Sequence, residues 1–169
     1  MDAPDFSDLI RRHAGLIHRI ASAYCRDVSD REDVVQEIAV QLWRSRDRYD
    51  ERFRQTTWIH RIALNVAISF RRRERRHRER RLPGEGHLIA LASASVPEPS
   101  EGVERLLRCI DDLRELDKAL VLLHLDGHDH AAIADVLGIS VSNVGTKLGR
   151  IKDRLRVALE PRADARKGE

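Results

Sequence analysis

Apolar residues recur at helical spacing along most of the chain. In the first segment they fall at Phe6, Leu9, Ile10, Leu16, Ile17, Ile20, Ala21 and Tyr24, one stripe of an amphipathic helix. The pattern breaks at Arg26-Asp27-Val28. Ser29 with Glu32 three residues on has the form of a capping box, which predicts a second helix opening at Ser29. Its buried face is predicted as Val34, Val35, Ile38, Ala39, Leu42 and Trp43, and its outer face as Asp33, Gln36, Glu37 and Gln41. The polar run Ser45 to Arg54 reads as a loop. A third helix is predicted from Thr56 or Thr57 through Trp58, Ile59, Ile62, Ala63, Val66 and Phe70, and it must stop before Pro83.

Residues 82–102 change character, with three glycines, Pro83, Pro97, Pro99 and a Ser/Ala tract. They read as a linker with a short helical turn near Leu88 to Leu91. Its 21 residues could span roughly 70 Å at about 3.3 Å each.

Helical spacing then resumes. Val103, Leu106, Leu107, Ile110 and Leu113 form a stripe, and Asp117 is placed to cap an apolar helix, Ala119 to Leu125, that stops at Gly127. A short helix from His130 to Leu137 ends at Gly138. Ser140 caps a last helix with Val144, Leu148, Ile151 and Leu155 inward, closed before Pro161. No strand-like alternation and no repeat occur. The predicted fold is all-α: two small helical domains joined by a flexible linker. The boundaries are 1–81, 82–102 and 103–160, with a tail at 161–169.

Composition narrows the function. The 41% apolar residues support cores, but only 4% are aromatic, so those cores are aliphatic. No run approaches the about 20 apolar residues of a membrane span. The acidic start, Met1-Asp2-Ala3-Pro4-Asp5, does not read as a secretory signal. Cys25 and Cys109 stand far apart with no CxxC pair, against a disulfide framework or structural zinc. The expectation is a soluble cytoplasmic protein.

Of the 31 basic residues 27 are Arg, a bias that GC-rich codon usage would also produce. Their clustering is more informative: Arg71 to Arg81 holds eight Arg and two Glu, a local charge of +6. Arg61, Asn65, Ser69, Arg72 and Arg73 recur at helical spacing and form one polar face, suited either to nucleic acid or to solvent.

The segment HAAIADVLGISVSNVGTKL, His130 to Leu148, carries the strongest motif. Ala134, Gly138 and Val144 have helix-turn-helix spacing: a small residue for close approach, a glycine for the left-handed turn, and a β-branched residue packing the second helix on the first. Ser142, Asn143, Thr146, Lys147 and Arg150 are left facing out, groups that bond base edges and phosphates.

The order DREDVVQEIAVQLW, TWIHRIALNVAISFRRR, linker, IADVLGISVSNVGTKLGRIKDRL resembles a bacterial sigma-70 family factor. More narrowly it is similar to the extracytoplasmic-function (ECF) type, which keeps only regions 2 and 4. The resemblance implies that the first domain is a region 2 helical bundle and the second a region 4 helix-turn-helix. Asp33, Gln36, Glu37 and Gln41 would dock on the clamp helices of the largest subunit of core RNA polymerase. Arg61, Asn65, Ser69, Arg72 and Arg73 would recognise and melt the −10 element. Ser142, Asn143, Thr146, Lys147 and Arg150 would read the −35 element. Promoter DNA and core polymerase are the implied partners, an anti-sigma factor a further one, and no cofactor is implied.

Two features depart from the pattern. Gly145 stands where such factors commonly carry Lys, and Leu113-Arg114-Glu115-Leu116-Asp117 lacks a frequent proline. A helix-turn-helix regulator that does not enter polymerase is the alternative function. His124, His128 and His130 lie close in sequence but are not spaced as a metal site, and no catalytic constellation is present. The expectation is a protein with no metal and no catalytic residues.

Overall fold

The computed structural model describes residues 3–80 and 101–159. Residues 82–100 of the linker, the helical turn expected within it and the tail lie outside the described residues, and the last two linker positions, Glu101 and Gly102, already belong to a helix. Among the described residues every regular element is helical. They divide into two compact units.

The first unit is a three-helix bundle of α1 (Ala3–Tyr24), α2 (Val28–Ser45) and α3 (Gln55–Arg80), each packed on the other two. Its core is aliphatic, as the composition requires. Leu9, Ile17, Ile20 and Ala21 come from α1, Val34, Ile38 and Leu42 from α2, and Ile59, Ala63, Leu64 and Ala67 from α3, all buried. Tyr24 and Cys25 close the bottom of α1 and are 1% exposed.

Two sequence expectations for α2 are corrected. The helix opens one residue early, at Val28, and its cap is Asp27, whose carboxylate accepts the Ser29 N–H at 2.7 Å. Asp27 has extended backbone angles and its side chain already serves an orphan N–H, so Ser29 falls inside the helix. Trp43, expected in the core, is exposed. The Phe6 ring meets it edge-on at 5.0 Å and the Arg46 guanidinium lies 3.9 Å over its face. An amphipathic ring can be covered in that way at a helix flank without entering the bundle.

The run after α2 is also more ordered than a plain loop. A 3-10 turn, Arg46–Arg48, follows α2 directly. Tyr49 then donates to the Phe53 carbonyl at 2.7 Å, and its ring lies 5.1 Å from that of Trp58.

The second unit holds α4 (Glu101–Asp111), α5 (Glu115–Leu125), the start of α6 (His130–Leu137) and α7 (Val141–Leu159). α7 packs on α4 and α5. Ile110, Leu113, Ala119, Leu120, Leu123, Ile133, Val144, Leu148 and Ile151 are buried, whereas Val103 and Leu107 of the expected α4 stripe are exposed. α5 begins two residues before Asp117, after Arg114, which makes no side-chain cap. Asp117 therefore lies in the first helical turn, where a carboxylate favours the positive end of the helix, and faces Arg154 at 3.9 Å. Lys118 is buried and its ammonium is paired with Asp111, so the charge is carried into the unit with its counter-ion.

Candidate functional site

In the first unit the sequence placed two polar faces on separate helices. A groove of about 750 Å³ brings much of both together. Glu37 and Gln41 of α2 line one wall, and Asn65, Ser69, Arg72 and Arg73 of α3 the other, with Ile62 and Val66 contributing apolar surface. Gln41 donates to Glu37 at 2.7 Å, which fixes one rim. Asp33 and Gln36 are exposed elsewhere on α2 and do not line the groove.

Arg61 also lies outside the groove. Its guanidinium stands 5.3 Å from the ring of Phe53, in the segment leading into α3. That segment is held by Asp50, which accepts from Arg52 at 2.9 and 2.6 Å. These hydrogen bonds keep the Asp50 carboxyl below the usual carboxylate range.

Arg48 and Arg76 line the groove too and were missed by the sequence reading. Arg48 sat in a run read as loop; only the turn after α2 brings it beside α3. Arg76 was visible in the Arg cluster, one helical turn beyond Arg72, and that periodicity was the signal available. The groove thus holds four guanidinium groups against one carboxylate. Polar amide and hydroxyl groups among those cations suit it to a phosphate-bearing strand.

In the second unit the helix-turn-helix is built as its sequence requires. Asp129 caps α6 by accepting the Ala132 N–H at 2.8 Å. Gly138 takes the left-handed conformation, φ +66°, and Ile139 N–H returns to the Ala134 carbonyl at 3.2 Å. Ser140 caps α7 by accepting the Asn143 N–H at 3.2 Å. Val144 is fully buried, which fixes the rotation of α7.

With that rotation Ser142, Asn143, Thr146 and Arg150 are exposed together, and Thr146 donates back to the Ser142 carbonyl at 3.0 Å. Lys147 is half-buried on the flank of that face. Gly145 lies inside α7, where a glycine costs about 1 kcal/mol relative to alanine. A Cβ there would stand 3.6 Å from Cε1 and Nδ1 of His130. Among the described residues no group of three or more His, Cys, Asp or Glu side chains is arranged to hold a metal ion. No described helix is long and apolar enough to cross a membrane.

A three-helix bundle with a cationic groove and a helix-turn-helix unit together define a helical protein of the nucleic-acid-binding class. Comparison with known proteins narrows this. Residues 9–77 match the Sigma-70 region 2 model and residues 103–155 the Sigma-70, region 4 model. The chain belongs to the sigma-70 family, and within it to the ECF type.

Among its relatives is the ECF RNA polymerase sigma factor SigE of Mycolicibacterium smegmatis, 28% identical over 161 residues, covering 90% of this chain and 61% of SigE. A second is the probable RNA polymerase sigma factor RfaY of Xanthomonas campestris, 30% identical over 155 residues, 86% of this chain and 38% of RfaY. The chain therefore spans less than two thirds of the length of these two relatives. The sigma factor RpoE of Bartonella quintana, solved in complex with the anti-sigma factor NepR, has the same fold. It superimposes with a TM-score of 0.71 at 18% identity, over 94% of this chain and 98% of that one.

Proposed function

We propose that the chain is an ECF-type RNA polymerase sigma factor, which binds core polymerase and directs transcription initiation at promoters with −10 and −35 elements. Residues 1–81 act as the polymerase-binding and −10 domain, 82–102 as a tether, 103–160 as the −35 domain and 161–169 as a tail. The exposed face of Asp33, Gln36, Glu37 and Gln41 meets basic side chains on the polymerase clamp. Arg61, Asn65, Ser69, Arg72 and Arg73 contact the −10 region, joined by Arg48 and Arg76.

Ser142 and Asn143 lie in the first turn of α7 and Thr146 in the second, short side chains suited to base edges in the major groove. Arg150 and Lys147 reach phosphate or guanine. Catalysis belongs to the polymerase, and the chain works in the cytoplasm. An anti-sigma factor is a further partner under this reading, as NepR is for RpoE.

One observation supports the proposal most: the groove sets Glu37 and Gln41 of α2 beside the arginine ladder of α3. A helix that meets polymerase thereby adjoins a surface that holds a nucleic-acid backbone. The test is retention of the purified chain on immobilised core polymerase, followed by addition of promoter fragments. Co-retention of polymerase and promoter only in the presence of the chain is expected. A chain that binds DNA but never core polymerase would instead be a free-standing helix-turn-helix regulator.

A further inference from the structure

Gly145 is the glycine of α7 that lies against a side chain from another helix. His130, the first residue of α6, rests its imidazole over the bare backbone there: a Cβ at 145 would lie 3.6 Å from two ring atoms. Gly149, one turn further along the same flank, has open space around it. Ser142 is one turn before Gly145, so the ring borders the exposed face that carries Ser142 and Thr146. His130 itself is exposed. Neighbouring Asp129 turns a carboxylate oxygen back to the Ala132 N–H, so that oxygen is engaged in the cap.

We propose that His130 is a DNA-backbone contact of the second unit, and that a small residue at position 145 leaves room for its ring. The inference deepens the −35 reading given above and rests on it. When a helix-turn-helix docks, the second helix lies in the major groove and the first crosses the sugar-phosphate backbone. A side chain at the start of the first helix, lying on the flank of the second, comes to the edge of that groove. An imidazole N–H there donates to a phosphate oxygen. Such a contact sets register and affinity and carries no base information.

A residue that served only to pack α6 on α7 would look the same in the free protein, so the test separates the two roles. His130→Phe keeps a ring of similar size over Gly145 and removes both nitrogens. Gly145→Ala adds a Cβ at an ordinary contact distance from the imidazole. Gly145→Leu extends a branched chain into the ring's place. Lys147→Ala serves as the control for the helix-turn-helix surface. Each full-length variant is melted, then titrated against a panel of duplexes selected from a random pool by the original chain.

The expected result for His130→Phe is an unchanged melting temperature with affinity about tenfold weaker on every duplex and the ranking intact. Gly145→Leu should reproduce that loss, the double variant should be no weaker than either single one, and Gly145→Ala should bind as the original. Unaltered affinity of His130→Phe while Lys147→Ala weakens binding overturns the inference and leaves the −35 reading standing. Loss that follows a fall in melting temperature assigns His130 to packing alone and overturns it as well. If the original chain selects no duplex and Lys147→Ala changes nothing, the −35 reading fails and the inference with it.

Discussion

Replacing Arg72 and Arg73 by Gln tests the groove of the first unit most sharply. Both side chains are exposed, and α3 is anchored by Ile59, Ala63, Leu64 and Ala67 nearer its start. Gln has nearly the helix propensity of Arg, so the helix should persist. The groove holds four arginines against Glu37, and the double change halves its cationic groups. Each phosphate neutralised contributes about 0.7 to the salt slope for a single strand and about 0.9 for a duplex. Two lost contacts should therefore flatten the log–log slope by about 1.4 to 1.8. Over a fourfold rise in salt the original chain should lose about seven- to twelvefold more affinity than the variant. The assay is titration of labelled −10 DNA with the chain assembled on core polymerase, at several salt concentrations. Parallel salt plots for the two proteins would refute the groove as a phosphate-binding surface.

Other perturbations separate the remaining roles. Asp33→Lys with Glu37→Lys leaves the buried Val34, Ile38 and Leu42 untouched and breaks the exposed Glu37–Gln41 hydrogen bond; stability should fall by no more than about 1 kcal/mol, while core polymerase binding, measured by competition, drops at least about tenfold. Undiminished binding would remove α2 as the anchor. Asn143→Ala should reorder preferences among −35 variants, costing about 1–3 kcal/mol on the preferred base, whereas Lys147→Ala should weaken all variants alike and lower the salt slope by about one; an unchanged ranking for Asn143→Ala would end its role as a base reader. Burial, then the Asp30 and Glu74 carboxylates, pushes the Cys25 thiol up to about 11 from 9.0, against the opposing pull of Arg31 and Arg71. Because the folded-state value is the raised one, this stability is fully present below pH 9 and is lost as pH rises through about 11. The advantage over Cys25→Ala in urea unfolding should shrink by about 2 kcal/mol across that range, and a constant difference would contradict the burial argument.

What could be read from sequence was what depends on near neighbours. Helical periodicity located the helices of both units, and the Gly138 turn and the Ser140 cap are fixed by residues a few positions apart. Capping elsewhere was decided by competition that a pattern does not resolve: Asp27 and Ser29 both suit an N-cap, and the backbone turns at Asp27. Trp43 has the hydrophobicity of a core residue, but its place at the helix flank let Phe6 and Arg46 cover it instead. The site was legible as two faces and not as a groove. Joining Glu37 to Arg72, or His130 to Gly145, depends on how helices pack, and no periodicity within one helix contains that.

Run-off transcription with purified core polymerase, with start sites mapped across fragmented genomic DNA, tests the central claim most directly. Core polymerase alone should start at no defined sites. Adding the chain should produce discrete starts sharing two upstream sequence blocks at fixed spacing, and the Arg72→Gln/Arg73→Gln variant should lose them. Specific DNA binding by the chain with no start sites created on any template would contradict the account and leave a helix-turn-helix protein that works outside polymerase.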